Sequence, residues 1–204
     1  MTRALGQSTD RVLGFFRSLR RELAFYLGCL NLHEALARCG QPIYLPVLWH
    51  PRARGSTHNG KADRRYEQVA PAGAREHAFR GLYEPCLALT LEAATVANDG
   101  DFSVKSLMIV TGANQGGKST FLRSIGLAQL MLQSGMFVAA RSFRADLCSR
   151  VFTHFRREED SRMRSGTLDE ELSRMSDIVD ELTPDSLLLF NESFAATNEL
   201  GGRR

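Results

Sequence analysis

An α/β fold, with a mostly parallel sheet flanked by helices and an α-helical segment ahead of it, is what this 204-residue sequence predicts. Three observations carry that expectation. From Gly81 onward short apolar runs alternate with amphipathic stretches, the order of elements expected of a parallel sheet covered by helices. One of those runs leads directly into a glycine-rich turn and then a helical pattern. Residues 10–38, ahead of all this, repeat apolar side chains at helical rather than strand spacing.

The elements follow in order. Val12, Phe16, Leu19, Leu23, Tyr26 and Leu30 recur at steps of four and three, which keeps one stripe of a long helix turned toward a partner. Gly40 and Pro42 stop that helix, the first as a C-terminal cap and the second as a residue unable to continue it. Residues 43–49 form a short extended piece interrupted by Pro46, and residues 50–80, with little periodicity, read as a surface loop and linker. Residues 107–111 are an apolar run of strand length. A helix is predicted from Lys118 to about Gln133, ended by Gly135, with Phe121, Leu122, Ile125, Ala128, Leu130 and Leu132 partly buried. Residues 137–139 and 151–155 read as further strands. Leu168, Leu172, Met175, Ile178, Val179 and Leu182 line one face of a second helix closed by Thr183 and Pro184, and residues 187–190 are the last strand.

Composition narrows the class. The chain is 43% hydrophobic and 24% charged, an ordinary globular balance. It has no uninterrupted apolar stretch of the roughly 20 residues that a membrane span requires, and no secretory leader pattern is visible at its start. Cys29, Cys39, Cys86 and Cys148 form no CxxC pair, so reduced structural thiols in a cytoplasmic protein are expected. Residues 1–80 hold 13 Lys or Arg against 6 Asp or Glu, while the remainder is net acidic. A basic N-terminal part can lie near nucleic acid, although a solvated arginine-rich surface accounts for the same count.

The most specific signal is Gly112-Ala113-Asn114-Gln115-Gly116-Gly117-Lys118-Ser119, which fits the G-x-x-x-x-G-K-[ST] phosphate-binding loop. Glycines let successive backbone N–H groups point inward at phosphate oxygens, and the following helix adds the positive end of its dipole. Lys118 would neutralise the β- and γ-phosphates of ATP, and the Ser119 hydroxyl would ligate Mg²⁺. Such ATPases also carry an apolar strand ending in a carboxylate near the Mg²⁺, followed by a catalytic Glu. Leu187 to Phe190 followed by Asn191 and Glu192 supplies the strand and the Glu, but Asn stands where Asp is expected. An uncharged amide holds the ion less firmly, so the expectation is a slow Mg²⁺-dependent ATPase with an elevated Mg²⁺ requirement. Glu192 would orient or deprotonate the attacking water, and Lys118 would stabilise the transferring phosphoryl group. His154, inside an apolar strand, reads as a packed or surface histidine, and Asp169, Glu170 and Glu171 as acids complementing a helix N-terminus.

The run from Ile109 to Thr120 resembles the P-loop of the MutS DNA mismatch repair ATPase family, where a glycine pair precedes the lysine. Residues 129–139, Val151-Phe152-Thr153-His154-Phe155 with the acids after it, and Ser165-Gly166-Thr167-Leu168 are similar to the same family. The resemblance implies a P-loop NTPase with bound ATP and Mg²⁺, and DNA as a partner in repair or recombination. It also implies a homodimer through the ATPase domain, in which the loop of Ser165 reaches the partner's γ-phosphate. Thr120 joins the nucleotide-binding loop on the same ground, and Leu82-Tyr83-Glu84-Pro85 stands where family members contact adenine. It divides the chain into a helical segment (1–48), a linker (49–80) and an ATPase domain (81–204) that ends before the family's remaining strands; a fragment or truncated frame is the expected explanation. Asn191 marks a divergent branch. Two other readings stand beside this one: a nucleotide-binding module without hydrolysis, and a P-loop small-molecule kinase.

Overall fold

The computed structural model describes residues 2–46, 75–155 and 167–191. Helix α1 spans Thr2–Arg38. It begins eight residues before the predicted start and ends where Gly40 and Pro42 require. The Gln41 N–H donates to the Leu36 carbonyl and the Gly40 N–H to that of Ala37, closing the last turn. Only the C-terminal end of α1 meets the core. Leu36 is completely buried, and the His33 ring stands edge-on to Phe137. The predicted stripe exists on the helix, yet Phe16, Tyr26 and Leu30 are about 60% exposed. Its partner is not among the described residues.

Strand β1 (His77–Leu82) starts inside the stretch read as linker, and helix α2 (Pro85–Leu91) follows it at once. The Glu84 carboxylate caps α2 by accepting from the N–H groups of Cys86 (3.1 Å) and Leu87 (2.5 Å), with Pro85 in the first turn. Strand β2 (Asn98–Asp101) returns antiparallel to β1. Helix α3 (Lys118–Gln133) matches its prediction residue for residue. Strand β3 (Ser142–Ala145) pairs antiparallel with the other edge of β1, so the first sheet runs β2-β1-β3. Strand β4 (Arg150–Phe155), helix α4 (Thr167–Glu181) and strand β5 (Ser186–Asn191) follow, with β4 and β5 paired parallel from Arg150↔Ser186 to Phe155↔Asn191.

The expected P-loop NTPase fold with a mostly parallel sheet is therefore corrected. The described strands form a three-stranded antiparallel sheet, and only β4 and β5 run parallel. Strand–helix alternation misled because a helix returns the chain for parallel pairing only if it is as long as the strand. The seven residues of α2 cover about 10 Å, against about 20 Å for a six-residue strand. The chain thus enters β2 from the end at which it left β1. The predicted strand at 107–111 belongs to no sheet, and Leu107 and Ile109 are each 76% exposed. At 137–139 there is a single bridge, Tyr44 with Val138, instead of a strand.

The core gathers Phe79, Leu82, Tyr83, Ile125, Leu132, Val138 and Phe143 between the antiparallel sheet and α3. Gln129 of α3 ties the helix to the end of β3 by donating to the Asp146 carbonyl at 2.9 Å. Gln133 accepts from the Cys148 N–H at 2.8 Å just before β4. One helix thereby touches both sheets, and its N-terminus carries the glycine-rich loop.

Candidate functional site

The loop from Gly112 to Gly117 is exposed and its backbone is curled. Gln115 has φ +63°, and Gly117, the N-cap of α3, has φ +81°. Gly117 is the position where the absence of a Cβ matters most, because a left-handed residue must hand the chain to a right-handed helix without a steric penalty. The Gly116 N–H donates to the Ala113 carbonyl at 3.1 Å, which closes the turn. The Lys118 Nζ folds back over it and donates to the carbonyls of Gly112 (2.9 Å) and Ala113 (2.8 Å). The ammonium thus spans the mouth of the loop. A phosphate group entering there would exchange two neutral acceptors for a charged one, which is the stronger bond.

The second half of the site comes from β5. The Ser119 hydroxyl donates to Asn191 Oδ1 at 2.7 Å, joining the first turn of α3 to the last residue of the strand. Gly126 lies where α3 packs on β5: a Cβ there would sit 2.8 Å from Cδ1 of Leu189, whose side-chain end would have to shift. Thr120 is half-buried in the first turn of α3. Two oxygens 2.7 Å apart are close to the spacing of adjacent ligands around a Mg²⁺ ion with bonds of about 2.1 Å. Ser119 and Asn191 therefore fit a shared Mg²⁺ site, with the amide oxygen either on the ion or behind the serine. ATP phosphates fit the curled loop and its lysine.

Other predicted site residues fall elsewhere. Tyr83 is 0% exposed and its hydroxyl has no hydrogen-bond partner among the described residues; burial pushes its pKa up to about 12. It is packed within the core and turns no ring face to solvent. Glu192 and Ser165 lie outside the described residues. His154 is 0% exposed, with Nε2 3.4 Å from the Glu171 carbonyl oxygen and its ring against Phe190, a packed histidine as expected. Asp169 and Glu170 sit in the first turn of α4.

Sequence reasoning missed two polar groups packed into the core. His77, at the start of β1, is ringed by Phe79, Phe102 and Phe143. Burial lowers its pKa, against the opposing pull of Asp146. Gln129 is 1% exposed on α3. A glutamine at a position where the helical period calls for an apolar residue was the available signal for the second; nothing marked the first.

A glycine-rich loop closed by its own lysine lies beside a serine–asparagine pair at one helix end of this α/β protein. Comparison with known proteins narrows the class. The family model for MutS domain V matches residues 108–202, and the MutS2 N-terminal domain matches residues 1–39. The DNA mismatch repair protein MutS of Methanothrix thermoacetophila is 35% identical over 204 residues, 99% of this chain and 24% of that protein. Its namesake in Nostoc punctiforme is 34% identical over 148 residues (72% of this chain, 15% of the relative). That of Trichormus variabilis is 36% identical over 106 residues, 52% of this chain and 12% of the relative. The chain belongs to the MutS family. It spans about a quarter or less of the length of these relatives.

Proposed function

We propose that this chain binds Mg·ATP at the loop of residues 112–119 and hydrolyses it slowly, coupling nucleotide state to DNA in repair. The observation that carries this reading is the convergence of Lys118, the curled loop and the Ser119–Asn191 pair on one helix N-terminus. Lys118 swings from the carbonyls of Gly112 and Ala113 onto the β- and γ-phosphates, and the loop N–H groups hold their oxygens. Ser119 and Asn191 would hold the Mg²⁺, which would supply charge neutralisation at the phosphates, and Glu192 would orient the attacking water. The basic excess of residues 1–80 and the names of the relatives support DNA as the partner. Dimerisation through the nucleotide site is part of the same reading.

Calorimetric titration with Mg·ATP and steady-state phosphate release test it. Lys118→Ala is expected to weaken binding by about 10- to 100-fold, the worth of one charged hydrogen-bonding group. Glu192→Gln is expected to keep binding and lose turnover. A folded chain that binds no nucleotide refutes the proposal. The neutral Asn191 favours a second reading, binding without hydrolysis, which tight binding with no phosphate release would select.

A further inference from the structure

Helix α3 is hydrogen-bonded at both of its ends to the β4–β5 sheet. At its N-terminus the Ser119 hydroxyl meets Asn191, the last residue of β5. At its C-terminus the side-chain oxygen of Gln133 accepts from the Cys148 N–H (2.8 Å), the Cys148 thiol (2.9 Å) and the Gln129 amide (2.8 Å). The same Gln129 amide, on a residue 1% exposed, donates to the Asp146 carbonyl at 2.9 Å. One residue after Cys148, the Ser149 N–H donates to the Asp185 carbonyl at 2.9 Å, just before β5 begins.

These bonds close a circuit: along α3 from Ser119 to Gln133, across residues 148 and 149 to Asp185, and along β5 to Asn191. Its two long sides match. The helix covers about 21 Å between Ser119 and Gln133, and the strand covers about 20 Å between Asp185 and Asn191. A slide of α3 by one residue, about 1.5 Å, would take the Ser119 oxygen out of hydrogen-bond range of Asn191. Apolar burial is non-directional and resists such a slide weakly, whereas hydrogen bonds are short and directional. Three donors converge on the Gln133 oxygen, so this group holds the far end of the helix.

We propose that Gln133 is a positioning residue: by anchoring the C-terminal end of α3 to the turn before β4, it holds Ser119 against Asn191 about 21 Å away. The consequence for Mg²⁺ rests on the nucleotide reading above; the mechanical link does not.

Urea unfolding of the native chain, Gln133→Leu, Asn191→Ala and the double variant measures that link. Gln133 is exposed, so its replacement leaves the core intact. Independent sites this far apart multiply their effects on the unfolding constant to within about twofold. Asn191→Ala should raise that constant less in the Gln133→Leu background than in the native one, by more than about twofold, because the Ser119 bond is already slack there. Gln133→Glu keeps the acceptor oxygen and should restore the full effect of Asn191→Ala. In a Mg²⁺ titration at fixed ATP, Gln133→Leu should raise the midpoint about fivefold, the worth of one neutral hydrogen bond, and Gln133→Glu should not. Independent effects in the cycle, a glutamate variant no better than the leucine one, or an unmoved Mg²⁺ midpoint in a chain that binds Mg·ATP each overturn the inference. A coupled cycle in a chain that binds no nucleotide upholds the positioning role and refutes the proposed function instead.

Discussion

Gly126 packs α3 against the Leu189 side chain of β5, and replacing it should loosen the link between Ser119 and Asn191. Its missing Cβ would sit 2.8 Å from Leu189 Cδ1, whereas ordinary contact begins at 3.4 Å. Gly126→Val therefore demands about 0.6 Å of relief, plus more for its branched methyls, beside a leucine only 5% exposed. Overpacking of this kind costs about 1–3 kcal/mol, offset by a few tenths from better helix propensity. If the helix gives way, the 2.7 Å bond from Ser119 to Asn191 stretches to about 3.3 Å, outside the normal range for a hydroxyl donor. Leu189→Ala alone should cost about 2–5 kcal/mol through the cavity it leaves. Combined with Gly126→Val it should cost less than the sum by about 1–3 kcal/mol, since the valine fills the space vacated. Urea unfolding of the four proteins measures the cycle. Additivity within about 0.5 kcal/mol would mean that the two side chains do not compete for one space, and the account of how α3 reaches β5 would be wrong.

Asn191→Asp should lower the Mg²⁺ concentration needed for nucleotide binding by about fivefold, because a charged acceptor is worth roughly 1 kcal/mol more than a neutral one; a Mg²⁺ titration at fixed ATP checks this, and an unchanged midpoint rejects it. The buried His77, with its pKa lowered from 6.5, binds fewer protons when folded than when unfolded. Stability is therefore fully present above 6.5 and declines as pH falls from there toward the folded value. Thermal melts between pH 7.5 and 5 should show that slope in the native chain, and a shallower one in His77→Phe. Glu84→Ala removes both cap bonds of α2 and should cost about 0.5–2 kcal/mol by urea unfolding, with no loss here meaning that the cap is dispensable.

What was legible in the sequence is what local chemistry determines. The octapeptide from Gly112 to Ser119 needs only its own glycines and one helix to take shape, and α3 appears at its predicted limits. β4 and β5 were read from apolar runs that pair with each other. Residues 107–111 are as apolar as the body of β5 but have no neighbour among the described strands, and an apolar run becomes a strand only when a partner takes up its backbone groups. β2, with the sequence Asn-Asp-Gly-Asp, carries no strand signal at all. It exists because β1 offers an edge and the Asp99 carboxylate accepts the Gly81 N–H at 2.7 Å. The stripe on α1 shows the same limit, since its spacing is visible from sequence while its partner is not.

The site sharpens the point about Asn191. From sequence it is a lost charge, a departure from the expected carboxylate. In the fold the same residue is the acceptor for Ser119 and the last ladder position of β5, opposite Phe155. An asparagine there keeps the contact with Ser119 while carrying no negative charge. The electrostatic and positioning contributions of this position are thus separable. Asn191→Asp adds charge at constant shape, and Asn191→Ala removes the positioning oxygen. Comparing the Mg²⁺ dependence of the two variants with that of the native chain would assign each contribution its own magnitude.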